Sequence, residues 1–185
     1  MKGWIEEADM PKREQTISIS QRLDSFVLGI GRVISWANGL LVIIIVLQVV
    51  LRYGFGRGLV VLEELQWHLY ALAFMCGLSY ALVTNAHVRV DLFYERFSAR
   101  TKHLIEVLGT LFILFPFIWA VTVHSIDFFW DSWIHNESSS APMGLPFRWI
   151  IKAVIPLSFG MLGLAALSRL IRSFQALLTS RDGNH

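Results

Sequence analysis

Apolar residues fall in four long runs along this chain, with polar residues gathered between them. From Leu23 the positions Leu23, Phe26, Val27, Ile30 and Ile34 recur at helical spacing, while Arg22, Asp24, Ser25 and Arg32 take other faces. That pattern predicts an amphipathic helix lying at a membrane interface, after a polar cytoplasmic tail over 1–20. The charge-free run that follows predicts a first membrane span over about 33–52, with Arg32 snorkelling at its boundary. A second span is expected over about 64–84. Its centre, Leu65 to Val83, has one His and no other ionisable group, and about 20 helical residues at 1.5 Å each cross a hydrocarbon core of roughly 30 Å.

A third span is expected over about 104–124, kinked at Pro116 because proline removes an internal hydrogen bond. The Phe- and Trp-rich stretch after it has the composition of an aromatic belt. It leads through a Ser- and Pro-containing loop to a fourth span over about 148–171, with Pro146 suited to its first turn and Pro156 a second kink. The fold class is therefore all-α, an integral membrane four-helix domain over 21–175 with a short tail over 176–185.

Composition agrees: 185 residues with 55% hydrophobic and 16% charged, and a mean hydropathy of +0.54, exclude an ordinary soluble globule. The net charge of +2 is spread over several segments, so no nucleic-acid role is expected. Lys and Arg concentrate in the N-terminal tail, in the loop between spans two and three (Arg89, Arg96, Arg100, Lys102), and at the C-terminus (Arg169, Arg172, Arg181). By the positive-inside rule both termini are cytoplasmic. The single Cys76 lies inside an apolar run, where a thiol is a small apolar filler.

Candidate chemistry lies at the ends of the spans. Glu63 and Glu64 open the second span, where carboxylates are favoured by the helix dipole, and Arg52 or Arg57 on the same side is the expected partner. His87, Arg89 and Asp91 close it at the other surface without metal-ligand spacing. Small residues recur four apart at Gly31, Ser35 and Gly39 and at Ala73, Gly77 and Ala81; Gly160, Gly163 and Ala166 lie close together in the fourth span, and such residues let helix backbones approach closely. His68 and His124 near the outer ends of two spans leave open a haem-binding membrane anchor of an oxidoreductase. The middle of each span is nearly free of polar groups, which argues against a chain that carries a substrate alone.

Arg52, Tyr53 and Phe55, then Glu63 and Glu64, then His87, Arg89, Val90 and Asp91, together with the stretch NESSSAPMGLPFRWIIKAVIP, resemble the small (Q, or DctQ-like) membrane subunit of tripartite ATP-independent periplasmic transporters, the TRAP family. The likeness covers about Leu40 to Gly160. It implies a non-enzymatic subunit of the bacterial inner membrane without a cofactor or bound metal. Its implied partners are a large permease subunit and a periplasmic binding protein, together importing an organic acid with sodium. Arg52, Tyr53, Glu63, Glu64, Gly77, His87, Arg89 and Asp91 are then the candidates for structural or subunit-interface roles.

Overall fold

The computed structural model describes the backbone of residues 3–84, 86 and 97–182, and these are helices joined by short loops. Helix α1 runs from Gly3 to Gly54 without a break, 52 residues or about 78 Å. The tail, the interfacial helix and the first span, expected as successive parts, are thus one rod. No proline lies between Arg22 and Arg52, the helix runs through Gly29, Gly31 and the Asn38-Gly39 pair, and lengthening a helix costs far less than starting one. The rod stops where Gly56 takes a φ of +64°, with the Leu51 carbonyl accepting the amides of both Phe55 (3.2 Å) and Arg57 (2.9 Å).

Helix α2, Val60–Val83, has 24 residues, about 36 Å, enough to cross a bilayer. Among the described residues three helical stretches are both long and apolar enough to do so: Ile19–Gly54, Arg100–Ile134 and Trp149–Leu177. Helix α2 is not one of them. Gln66, His68 and Ser79, with Tyr70 and Tyr80, dilute its apolar run, so of the four expected spans three are long, strongly apolar helical stretches and the second is a more polar helix.

Ser98 caps helix α3, Ala99–Gly109, by accepting the Thr101 amide at 3.3 Å. A π-helical turn, Thr110–Leu114, joins α3 to α4, Phe115–Ile134, so the helix continues for about ten residues beyond the span expected to end near 124. The wide turn sits immediately before Pro116. Proline there has no N–H for the Phe112 carbonyl, and the wider turn, with Phe115 N–H reaching Thr110 O, accommodates the missing bond without ending the helix. Helix α5, Trp149–Asp182, carries Pro156 in its interior. It starts just after Pro146, as expected, with Phe147 at φ 61° in the left-handed region setting the first helical residue at Trp149.

Helix α5 is the centre of the packing, since α1, α2, α3 and α4 all lie against it. Val27 of α1, Leu82 and Val83 of α2, Ile118 of α4, and Phe159, Leu162, Ala165 and Ala166 of α5 form the buried cluster. A Cβ on Gly163 would meet Ile118 at 3.7 Å, so the small residues of α5 do serve close internal packing. Helix α1 is the opposite case. From Val33 to Val50 most of its large apolar side chains are exposed, the expected state of a surface solvated by lipid or by another subunit.

Candidate functional site

Polar contacts collect at the two ends of the bundle. At one end α2 begins after a five-residue turn, and the buried amide of Gln48 closes that turn: Nε2 donates to Leu59 O at 3.3 Å and to Glu63 Oε1 at 3.2 Å. Arg52 Nη1 lies 3.5 Å from the same Glu63 oxygen. Glu63 therefore ties the last turns of α1 to the first turn of α2.

Glu64, one residue on and so about 100° around the helix, faces the loop between α4 and α5. It accepts the Leu145 amide at 2.5 Å and the Ser139 hydroxyl, residues 75 and more positions away in the chain. The loop is shaped to meet it, with Ser139 N–H on Leu145 O (3.1 Å) and Gly144 N–H on Ala141 O (3.0 Å). A Cβ on Gly144 would come within 2.5 Å of Ser139 and 2.8 Å of Glu64 Oε1, so only glycine lets the strap lie this close. A cavity of about 220 Å³ beside it is lined by Glu64, Trp67, His68, Ser139, Leu145 and Arg148.

A second carboxylate fastens the same loop to α5. Glu137 pairs with the Lys152 ammonium and lies 3.5 Å from Arg148 Nη1, while its own carbonyl accepts the Arg148 amide at 2.8 Å. Lys152 is buried and sits 3.8 Å above the Phe128 ring, a cation–π contact that accommodates a charge away from water. The Lys152 ammonium, and then Arg148, hold the Glu137 carboxyl below the usual carboxylate range. Next to this pair Trp133 and Trp149 meet edge to face at 4.4 Å.

The opposite end joins helix to helix. Asp24 of α1 pairs with Arg172 of α5 at 2.7 Å, and the Ser168 hydroxyl donates to Ser20 O at 3.1 Å. Glu106 of α3 pairs with Arg169 at 2.5 Å and accepts the Ser173 hydroxyl at 2.7 Å.

These contacts place the residues singled out in the sequence. Arg52 and Glu63 come together, whereas Glu64 turns away to the loop; Arg52 with Glu64 is not the pair that forms. Tyr53 is 83% exposed. Gly77 faces the space between α1 and α2. His87, Arg89 and Asp91 lie outside the described residues. Sequence reasoning missed Gln48, Ser139, Glu106 and the roles of Asp24, Glu137 and Lys152. The available signal was a polar residue inside or beside an apolar helical run, which needs a partner to be buried.

His68 and His124 each bond through Nδ1 to the carbonyl four residues back, at 2.6 and 2.8 Å. Helices α2 and α4 both pack on α5 and make no extensive contact with each other, so this packing builds no axial pair across two adjoining helices. Glu63, Glu64, Glu137, Glu106 and Asp24 are each engaged with a cation, a hydroxyl or a backbone amide, an arrangement that fixes position rather than activating a nucleophile.

The family described as the DctQ component of tripartite ATP-independent periplasmic transporters matches residues 41–176, well over half of the chain. The chain belongs to the DctQ family. It is a multi-pass membrane component of a TRAP transporter, and not an enzyme. Its family makes it one part of a tripartite system that includes the other TRAP components. No curated protein and no solved structure matches it. The match begins within α1 and ends in α5, so it takes in both the Gln48–Glu63 turn and the Glu64 strap.

Proposed function

We propose that this DctQ chain is the scaffold subunit of a sodium-coupled importer of an organic acid, pairing in the inner membrane with a large permease subunit supplied by a periplasmic binding protein. The observation that carries this reading is the position of its charges. Between Arg32 and Arg52 the first span has no ionisable side chain, and the carboxylates it does possess are fastened at the two ends. A subunit that bound cargo or sodium itself would present unengaged polar groups at mid-depth. The exposed apolar length of α1 supports a partner in the membrane.

We further propose four crossings with both termini cytoplasmic. The reach of α2 and the distribution of Lys and Arg support this arrangement. The Asp24 end then faces the cytoplasm and the Glu64 end, with its strapped loop, the periplasm, where Arg52, Glu63 and Glu64 hold the surface nearest the binding protein. Co-expression with the large subunit, and purification through a tag on either chain in mild detergent, tests the assembly: the two should co-purify in equal amounts, and isolation of each alone would overturn the scaffold role.

A further inference from the structure

Helices α1 and α2 do not close on each other along their whole length. They touch where Gly31 meets Tyr80, so closely that a Cβ on Gly31 would lie 2.7 Å from the tyrosine ring. From that contact toward mid-bundle a groove of about 280 Å³ opens, lined chiefly by Arg32, Ser35, Asn38, Ala73, Gly77 and Tyr80. Residues 31–38 on one wall correspond to about 10 Å of helix. The groove thus extends about 10 Å into the bundle.

Its polar groups are unspent. Arg32 and Asn38 are exposed and have no hydrogen-bond or ion-pair partner among the described residues; Ser35 Oγ donates to Arg32 O at 2.7 Å. Every carboxylate described at the nearer end is already engaged, Asp24 by Arg172 and Glu106 by Arg169. Arg32 is therefore a cation without a partner among the described residues, at the boundary of the first span. It lies 20 residues from Arg52, a helical rise of about 30 Å, so the two arginines bracket one hydrocarbon thickness. The anion available to an arginine at that boundary is a lipid phosphate.

Size distinguishes the occupants. A helix with its side chains is about 10 Å across, too wide to enter between two helices that touch at Gly31 and Tyr80. An acyl chain is narrower and apolar, and the small side chains of Ala73 and the bare backbone of Gly77 leave it a path. Asn38 stands six residues, about 9 Å of helix, deeper than Arg32, where a lipid presents its ester carbonyls to a donor.

We infer that this groove holds one anionic phospholipid of the leaflet at the Asp24 end, its phosphate on Arg32 beside Tyr80 and one acyl chain along Ala73 and Gly77. The inference needs the helices to span a bilayer and does not depend on the transported cargo. A Cβ at position 77 would meet nothing within 4 Å, so the side chain of Gly77→Leu starts into open groove. Arg32→Gln removes the cation and leaves the groove open.

The test is native mass spectrometry of the delipidated full chain titrated with phosphatidylglycerol or phosphatidylcholine. The wild type should keep one phosphatidylglycerol, about tenfold tighter than phosphatidylcholine, whose choline ammonium competes with Arg32 for the phosphate. Arg32→Gln should erase that preference. Gly77→Leu should weaken both lipids about tenfold, while Val42→Leu on the exposed face of α1 changes neither. Equal binding of the two lipids by the wild type, or phosphatidylglycerol binding that survives both groove variants, would overturn the inference. So would Gly77→Leu that keeps the lipid and loses the large subunit on co-purification, which would make the groove a seat for a partner's side chains.

Discussion

Both ends of the bundle are fastened by carboxylates, but to different things. At the Asp24 end the partners are helix residues, and the contacts of Asp24 and Glu106 bring α1 and α3 onto α5. At the Glu64 end the partners are a backbone amide and a hydroxyl of one loop, with Glu137 pinning that loop to α5. The first set defines how the helices sit. The second set defines the shape of an exposed surface, including Met143 at φ 62° and 88% exposed. Damage at the Asp24 end should therefore be global and damage at the Glu64 end local.

The largest effect is expected from Arg169→Met. It removes the guanidinium from Glu106, in a pair whose side chains are 14% and 20% exposed, and breaking such a pair costs about 3 kcal/mol. Thermal unfolding of the whole chain in detergent should move down accordingly; an unchanged midpoint would break the contrast between the ends. Gly144→Val comes next. The added side chain collides with Ser139 and Glu64, at about 2 kcal/mol for overpacking, and the loop should become protease-sensitive while helicity is kept. A drop in helical content would show that the strap supports the bundle after all.

Glu64→Gln should loosen the same loop less, because the amide retains one acceptor oxygen for Leu145 or Ser139. Faster hydrogen exchange at the Leu145 amide, with the core amides of α5 unchanged, is the expected readout. Reduced recovery of the large subunit with this variant is expected as well, and loss of sodium coupling in an intact complex would count against a positional role.

Acid should act on Glu137. Its carboxyl is held below the ordinary value, so its contribution is complete above an unfolded pKa of about 4.3 and disappears as pH falls through the lower folded value. Loop proteolysis should rise below about pH 4 and stay flat from there to neutrality; a rise near pH 6 would assign the change to another group. The smallest effect is expected from Ser79→Ala, which removes the 3.3 Å bond to Ser158 O between α2 and α5, worth about 0.6 kcal/mol inside a membrane.

Much of the fold was legible because apolar period and length fix helices in a bilayer almost by themselves. The three apolar stretches fall where the runs of Val, Leu, Ile and Phe put them, and the Arg52–Glu63 side of the turn follows from charge at adjoining helix ends. The rest depended on contacts distant in sequence. Nothing local tells Glu64 to seek Leu145 and Ser139 rather than Arg52; that choice is made by the direction of one residue on a helix and by a loop over 70 positions away. Glu106 drew no notice because a lone carboxylate on an amphipathic stretch looks solvated until α5 brings Arg169 to it. The groove between α1 and α2 was half legible: the small-residue stripes were visible, but not that two of them face each other across open space instead of closing it.

The central claim is that these two polar ends lie on opposite membrane surfaces, which requires α2 to cross along with the three more apolar stretches. Single cysteines at Gln21, Phe55, Ser98 and Met143, in a Cys76→Ser background, can be challenged in intact cells with a membrane-impermeant maleimide. The account predicts labelling of Phe55→Cys and Met143→Cys from outside, and of Gln21→Cys and Ser98→Cys only after permeabilisation. Labelling of Ser98→Cys from the same side as Phe55→Cys would contradict it.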